Sequence, residues 1–183
     1  MYMLAKVDDL SIPDHYYLTS GDKCYYFGEY TARKGYNFSE TNNLIMNFKK
    51  SVDRKGTAEW PHKVRAINAA ARLIRSALDG ISKNFTLVPI PPSKAKDDPL
   101  YDDRMVQMLS IAAEGTEYDI RELVRQKAST DSAHCSSSRP TPQSLLNNYT
   151  IENDLENPRP QNIILCDDVL TTGAHFIACK NLL

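Results

Sequence analysis

The pattern of hydrophobic and polar positions predicts an alternation of helices and short buried strands after residue 60. Over residues 61–80 the apolar side chains recur at steps of three and four, with Pro61 in the first turn and Gly80 at the end. This predicts an amphipathic helix. Its inner face carries Val64, Ile67, Ala71, Ile74 and Leu78. The basic residues on its outer face are expected to be solvated or, alternatively, to bind an anion: Lys63, Arg65, Arg72 and Arg75.

Further segments continue this alternation towards the C-terminus. The apolar runs NFTLVPI and NIILC predict buried strands, and PIPP ends the first of them. YDIRELV predicts another short strand, and GAHFIACKNLL a final helix. A helix is also predicted from about Asp102 to Ala113, with these side chains inward: Met105, Val106, Leu109 and Ala112. Strands joined by helical crossovers favour an α/β fold with a mostly parallel sheet flanked by helices.

The remaining segments are less regular. Residues 15–31 predict a β-hairpin, because aromatic stretches flank the turn sequence TSGD. LIMNFKK fits a strand or a short helix. Residues 126–142 are rich in Ser and Thr and predict a mobile loop, and SLLNNYTI a helical turn with a connecting segment. We expect an N-terminal hairpin or hood region over residues 1–60 and an α/β core over residues 61–183.

Composition sets broad limits on function. In the 183-residue chain, 22 Lys and Arg residues nearly balance 23 Asp and Glu residues, so the overall charge gives no reason to expect nucleic acid or an anionic membrane as a partner. The four cysteines are widely spaced and match neither a metal site nor a disulfide framework. No apolar stretch approaches the roughly 20 residues of a membrane span. We therefore expect a cytoplasmic protein with reduced thiols.

The stretch IILCDDVLTTGA, residues 163–174, carries the strongest chemical signal. Two adjacent acids follow a predicted buried strand, and their repulsion would be relieved by hydroxyl groups or a divalent cation. In the next turn, backbone N–H groups around Gly173, the hydroxyls of Thr171 and Thr172, and the start of the following helix can surround an anion. Acids beside an anion cradle fit a phosphorylated sugar.

This stretch resembles the phosphoribosyl pyrophosphate (PRPP) motif of the type I phosphoribosyltransferases, in which four apolar residues, two acids, two apolar residues and Thr-Thr-Gly follow in order. Within that family the chain looks most like the ComF group. VPIPPSK is similar to that group's strand end with basic residues after it, and RELVRQKAST to its arginine-rich strand before a mobile loop. Two features differ: the N-terminal cysteine pairs are missing, and KDDPLYDDRM replaces Arg-Gly-Phe-Asn.

The resemblance implies a role for each matching residue. Asp167 and Asp168 would hold the ribose hydroxyls, directly or through Mg²⁺. The residues of the following turn would bind the 5′-phosphate: Leu170, Thr171, Thr172, Gly173 and Ala174. The loop after the first buried strand would bind pyrophosphate, with Lys94 or Lys96 as countercharge: Pro91, Pro92, Ser93 and Lys94. Lys127 and Arg139 of the mobile loop would close over the leaving group, so that catalysis consists of positioning, Mg²⁺ and cationic contacts.

The implied activity is Mg²⁺-dependent transfer of ribose 5-phosphate from PRPP to an unidentified nitrogen nucleophile, a small molecule. Enzymes for hypoxanthine or guanine commonly have Asp at the position of Thr171, so those acceptors are not favoured. One alternative is a non-catalytic sensor of PRPP or a nucleotide, or a ComF-like protein of DNA uptake or defence. Another is a scaffold with a relic motif. Few residues follow Gly173, so we expect either a domain that is truncated at its C-terminus or a sheet that closes differently, with a homodimer or partner chain completing it.

Overall fold

The computed structural model describes residues 2–79, 81, 84–130 and 139–183. Within these ranges the α-helices are α1 (Glu40–Phe48), α2 (Trp60–Leu78), α3 (Arg104–Ala113), α4 (Pro142–Asn148) and α5 (Ala174–Leu182). The strands are β1 (Ala5–Lys6), β2 (Tyr25–Tyr26), β3 (Thr86–Pro89), β4 (Asp119–Ile120), β5 (Val124–Gln126), β6 (Tyr149–Ile151) and β7 (Ile163–Cys166). None of the helices in the described ranges is long and apolar enough to cross a membrane.

The main sheet consists of parallel strands in the order β4-β3-β7. Every residue of β3 is buried, and its side chains alternate between two hydrophobic clusters. Leu87 packs with residues of α2 and α3, whereas Val88 packs with residues of α4 and α5. Because successive side chains of a strand point to opposite faces, a strand covered on both faces is apolar throughout. The predicted α/β architecture with a parallel sheet between helices is confirmed.

The strand order creates a switch point between β3 and β7. From β3 the chain passes through α3 to β4 on one side, whereas β7 pairs with the other side of β3. Pro89 lies opposite Cys166, and the N–H of Ile90 donates to the carbonyl of Cys166 at 2.9 Å. In open parallel sheets a switch point leaves a crevice beyond the carboxyl ends of the strands, where ligands bind. We use the name β3/β7 crevice for the sheet edge beyond Pro89 and Cys166.

The segment YDIRELV, predicted as one strand, contributes to two sheets. β4 pairs with β3, whereas β5 pairs antiparallel with β6. SLLNNYTI forms part of α4 and β6, and a capping box between Thr141 and Ser144 begins α4. The predicted loop 126–142 is therefore bounded by regular elements at both ends, and its residues 131–138 lie outside the described residues.

A hairpin is present near the N-terminus, but the prediction over residues 15–31 was wrong about its first arm. The arms are β1 and β2, which pair antiparallel, and Ile12–His15 between them form a 3₁₀ helix. The carboxylate of Asp8 accepts hydrogen bonds from two following backbone N–H groups and so stabilises a local turn. The residues after this 3₁₀ helix then pack against the C-terminal part of the chain instead of forming a strand.

Most of the segment LIMNFKK, for which a strand and a short helix were both open, belongs to helix α1. Its N-cap residue Ser39 accepts a hydrogen bond from the N–H of Asn42, which satisfies one of the free donors of the first turn. Phe48, at the end of α1, packs in the same hydrophobic cluster as Ile67 of α2. The helix is therefore amphipathic and packs against α2.

Helices α2 and α3 follow their predicted spans but differ in the residues they bury. α2 ends at Leu78, and the predicted last residue, Gly80, lies outside the described residues. Val64, predicted inward, is 44% exposed, whereas Lys63, predicted outward, is 1% exposed. In α3, Met108 is buried and Val106 only partly so. The burial of Lys63 has a specific cause, because its ammonium group is fully hydrogen-bonded.

Candidate functional site

Asp167 and Asp168 lie directly after β7, beside the end of β3. The loop PPSK continues from β3, and the turn VLTTG follows the two acids. Because β3 and β7 are parallel neighbours in register, both segments leave the sheet at the same edge. The structure thus brings the two segments that carry the predicted site residues to the β3/β7 crevice.

Asp168 is held by two cations from other parts of the fold. Its Oδ1 accepts a hydrogen bond from Nζ of Lys49 at 3.0 Å, and its Oδ2 accepts from Nε and Nη2 of Arg104 at 3.1 and 2.5 Å. Burial raises the pKa of Asp168, but the charges of Arg104 and Lys49 outweigh this effect and lower the pKa. Asp168 is therefore ionised at neutral pH, and both of its oxygens already have cationic partners.

Arg104 connects this ion pair to a second buried carboxylate. Nη1 of Arg104 and Nζ of Lys63 both donate to Oδ2 of Asp102, at 2.8 and 2.7 Å. Lys63 also donates to the carbonyls of Phe48 and Lys50, at 3.0 and 2.7 Å. Burial lowers the pKa of Lys63, and Asp102 opposes that decrease. Because buried charges must be paired and hydrogen-bonded, this network fixes α1, α2 and α3 relative to the crevice.

Asp167 differs from its neighbour, since no cation contacts it among the described residues. It is exposed, and its Oδ1 accepts the N–H of Asp168 at 2.8 Å. Desolvation by the surrounding protein and repulsion from the charge of Asp168 both raise the pKa of Asp167. Because the residue is exposed, water moderates this increase. Asp167 therefore has carboxylate lone pairs available for a hydroxyl group or a cation.

The turn that follows presents backbone donors. Within the described ranges, the N–H groups of Leu170, Thr171, Thr172 and Gly173 have no protein acceptor. Gly173 has a φ of +85°, which glycine adopts without strain, and the nine-residue helix α5 begins at Ala174. Free N–H groups at a helix start form an anion site. Thr171 is exposed but Thr172 is only 2% exposed, so only the Thr171 hydroxyl is open to solvent.

The N-terminal segment, residues 15–18, packs against the carbonyl groups of this turn. Nδ1 of His15 is hydrogen-bonded to the carbonyl of Thr171, and the N–H of Tyr17 donates to the carbonyl of Thr172 at 3.0 Å. Leu18 packs so closely on Gly173 that a Cβ there would lie 2.8 Å from its Cδ2. The segment thus supports the turn without using its N–H groups.

The loop after β3 is tied to the start of the predicted mobile loop. The carbonyl of Pro92 accepts a hydrogen bond from Nε2 of Gln126 at 2.5 Å. The carbonyl of Ser93 accepts one from the N–H of Thr130 at 2.8 Å. These contacts place residues 127–130 beside the predicted pyrophosphate loop. The predicted role of Lys127 at the leaving group would require this proximity.

The cations predicted to act on pyrophosphate have different surroundings. Lys94 is half-buried and has no ion pair within the described part of the chain, whereas Lys96 pairs with Glu122 at 2.9 Å. Nζ of Lys127 donates to a carbonyl of α4 at 3.0 Å. Arg139 is exposed, and no contact joins it to the acids among the described residues. Lys94 is therefore the predicted countercharge in this loop that has no ion pair among the described residues. The roles of Lys127 and Arg139 stay predictions.

The acidic pair fits a magnesium ion through one of its members. Mg²⁺ keeps several water molecules and is commonly held by one or two carboxylates together with phosphates of a substrate. Asp167 is exposed and has free lone pairs, whereas the Asp168 side chain is 6% exposed and both of its oxygens contact a cation. No group of three or more His, Cys, Asp or Glu side chains that could hold a metal occurs among the described residues. A bound Mg²⁺ would be held by Asp167 and by oxygen atoms of the ligand.

Sequence reasoning missed Lys49, Arg104 and His175. The stretch YDDRM has no pattern that indicates a buried cation, but the Arg104 side chain is only 13% exposed because two carboxylates bind it. Lys49 precedes Asp168 by 119 positions, and no local sequence pattern indicates that the two side chains meet. His175, in the first turn of α5, shares a 2.7 Å hydrogen bond with the hydroxyl of Tyr149, and burial lowers its pKa. In the sequence, only the position of His175 directly after TTGA indicates that it lies near the site.

Comparisons with models of known protein families, with curated proteins and with solved structures give no match to this chain. The fold and the site geometry therefore define the class of protein: an α/β protein with a candidate site at the carboxyl edge of a parallel sheet. The site combines an exposed acid, Asp167, with a turn whose N–H groups have no protein acceptor among the described residues.

Proposed function

We propose that this protein is a phosphoribosyltransferase of the type I family that binds PRPP in the β3/β7 crevice. It would transfer ribose 5-phosphate to a nitrogen nucleophile, with Mg²⁺ as cofactor. One observation carries the proposal: Asp167, an exposed acid without a cationic partner among the described residues, stands next to a turn with free N–H groups. A ligand with hydroxyl groups and a phosphate at fixed separation satisfies both features.

The ligand's groups match the site in order along the crevice. The 5′-phosphate accepts hydrogen bonds from the N–H groups of the turn and from the Thr171 hydroxyl, at the positive end of α5. The ribose hydroxyls donate to Asp167. The pyrophosphate group then points towards the loop after β3, where Lys94 has no ion pair within the described residues. This orientation uses the free donors and the free acceptor that the site presents.

Transfer requires substitution at C1 of the ribose. The bond between C1 and the pyrophosphate oxygen breaks, pyrophosphate leaves with the electron pair, and the acceptor nitrogen bonds to C1 and releases its proton to water. The protein's residues hold the reacting groups in line and place positive charge near the leaving group. Mg²⁺ bound through Asp167 would supply further neutralisation of the pyrophosphate charge.

Calorimetric titration with PRPP, with and without Mg²⁺, tests the binding step. We expect Asp167→Asn to weaken binding by about 10- to 100-fold, because hydrogen bonds to a charged group contribute about 1.5–3 kcal/mol. Glu114→Gln is the matched control, since Glu114 is an exposed acid at the far end of α3 from Arg104. Absence of PRPP binding in the wild type, or equal affinities for wild type and Asp167→Asn, would overturn the proposal.

Release of pyrophosphate in the presence of a panel of nitrogenous bases tests the transfer step. An enzyme releases pyrophosphate with at least one acceptor, and the Asp167→Asn variant should do so more slowly. Tight PRPP binding without release across the panel would instead favour a non-catalytic sensor of the same ligand. The panel includes pyrimidines, purines other than hypoxanthine and guanine, and free ammonia.

A further inference from the structure

Lys49 and Lys63 belong to the same ion network but use their hydrogen-bond donors differently. An ammonium group has three N–H donors. Those of Lys63 bind Asp102 and two main-chain carbonyls, and its side chain is 1% exposed. Nζ of Lys49 has a single acceptor among the described residues, Oδ1 of Asp168, and its side chain is 31% exposed. Lys49 is therefore a partly exposed cation with spare donors at the crevice.

Arg104 does not share this property. Its Nε and Nη2 bind Asp168, its Nη1 binds Asp102, and its guanidinium group lies 5.8 Å from the centre of the Phe48 ring. With 13% of its side chain exposed, Arg104 is held in place by these contacts. It connects the two carboxylates, whereas Lys49 is the cation of the network that remains available to a ligand.

We propose that Lys49 is a further ligand-binding residue, which donates to a phosphate oxygen, and that Asp168 is a positioning residue that holds the Lys49 ammonium group at the crevice. Asp167 is then the acid that contacts the ribose hydroxyls. This inference rests on the proposed PRPP site and assigns the anion-binding and sugar-binding roles within it. It differs from the expectation from sequence, in which both acids hold the sugar.

The hydrogen bonds of Asp168 favour this division of roles. The Asp168 side chain is 6% exposed, and both of its oxygens accept charge-assisted bonds, which are about twice as strong as neutral ones. A ribose hydroxyl therefore reaches the exposed Asp167 more readily than Asp168. Lys49 can donate to a phosphate oxygen without giving up its bond to Asp168, because two of its donors have no acceptor within the described ranges. Phosphate oxygens and an ammonium group are complementary in charge, so the added contact is favourable.

Titration of inorganic pyrophosphate and of PRPP into Lys49 variants tests the first part. Lys49→Met keeps most of the apolar stem, and we expect it to weaken both ligands about tenfold or more through loss of a charge-assisted bond. Lys49→Arg should bind within about threefold of wild type, because it restores the cation. Lys50→Met is the matched control, since the Lys50 side chain is 10% exposed and lies 3.9 Å from Glu59. Wild-type affinity for both ligands in Lys49→Met would overturn the role of Lys49.

Comparison of the two acids tests the second part, because pyrophosphate has no hydroxyl groups. In titrations without Mg²⁺, Asp167→Asn should lower the ratio of PRPP affinity to pyrophosphate affinity about tenfold. Asp168→Asn should leave this ratio within about twofold of wild type, whatever its effect on each ligand. An equal fall of the ratio in both variants would overturn the positioning role. Thermal unfolding and binding stoichiometry identify any variant that fails to fold, and Asp168→Glu, which keeps the charge, then replaces Asp168→Asn.

These outcomes separate this inference from the proposed function. If PRPP does not bind but pyrophosphate binds and depends on Lys49, the proposed function fails and the role of Lys49 stands. If PRPP binds and depends on Asp167 while Lys49→Met is neutral, the proposed function stands and the role of Lys49 fails.

Discussion

Replacement of Gly173 by alanine perturbs the backbone of the candidate phosphate turn and its packing together. The φ of Gly173 is +85°, a left-handed conformation that costs other residues about 1–2 kcal/mol. The added Cβ would also lie 2.8 Å from Cδ2 and 2.9 Å from Cγ of Leu18. Carbon atoms prefer a separation of about 3.5–4.0 Å, so Leu18 must move, at a cost of about 1–3 kcal/mol. We expect Gly173→Ala to lower the free energy of unfolding by about 2–5 kcal/mol.

Gly56 provides a matched control for the backbone contribution. Its φ is also +85°, and a Cβ there would have no heavy atom within 4 Å. Gly56→Ala should therefore cost only the conformational part, about 1–2 kcal/mol. Urea denaturation of the wild type and both variants, followed by circular dichroism, gives the two differences. The excess cost of Gly173→Ala over Gly56→Ala measures the contact with Leu18.

A double-mutant cycle with Leu18→Ala identifies the source of that excess. When Leu18 is truncated, the clash disappears, and Gly173→Ala should then cost about as much as Gly56→Ala. The interaction energy in the cycle should be about 1–3 kcal/mol. Equal costs of Gly173→Ala in the two Leu18 backgrounds would refute the packing of residues 15–18 on the turn. So would equal costs of the two glycine substitutions in the wild-type background.

Two further predictions concern buried charges. Lys63→Met should lower the free energy of unfolding by about 3 kcal/mol, because two buried carbonyls lose their donor, although Asp102 keeps its bond from Arg104. Arg65 is exposed on the same helix, so the control Arg65→Met should cost at most about 0.5 kcal/mol. Equal urea midpoints for the two variants would contradict this prediction. Burial opposes ionisation of Asp22, but hydrogen bonds, chiefly from Lys180, lower the pKa of this carboxyl below the ordinary 3.8. Ionised Asp22 therefore stabilises the folded state above pH 3.8, and this contribution is lost as the pH falls through the folded-state pKa. Thermal unfolding should therefore show that Asp22→Asn is less stable than wild type at neutral pH and loses less on acidification; parallel pH profiles would exclude this role.

The strands that position the site could be predicted because their environment leaves a local signature. Both faces of β3 and β7 are covered by helices, so Leu87, Val88 and their neighbours in β7 are all apolar. Once two parallel strands are placed side by side, the residues after them necessarily meet at one edge. Gly173 and the start of α5 follow from the same local reasoning, because a turn with positive φ precedes the helix.

The ion network and the N-terminal fold could not be predicted because their causes lie far away in the sequence. A lysine is ordinarily a surface residue, and Lys63 is buried only because Asp102, 39 positions later, and the end of α1 supply acceptors. Aromatic residues favour strands, but the HYYL segment takes its contacts from the turn, with His15 bonded to Thr171, 156 positions later. Such tertiary partners override local propensity.

Adjacent carboxylates repel, and among the described residues the fold brings cations into direct contact with only one of them. Asp168 receives Lys49 and Arg104, whereas Asp167 receives a single backbone N–H and keeps a raised pKa. A second acid that served stability alone would be expected to have a cation of its own, although water solvates the exposed Asp167 and the charges of Lys49 and Arg104 offset part of the repulsion. Asp167 has none among the described residues, although its neighbour has two, and it stands beside free N–H groups. Under the proposed function, the partner of Asp167 is a ligand, and the ions around Asp168 hold the crevice in shape until that ligand binds.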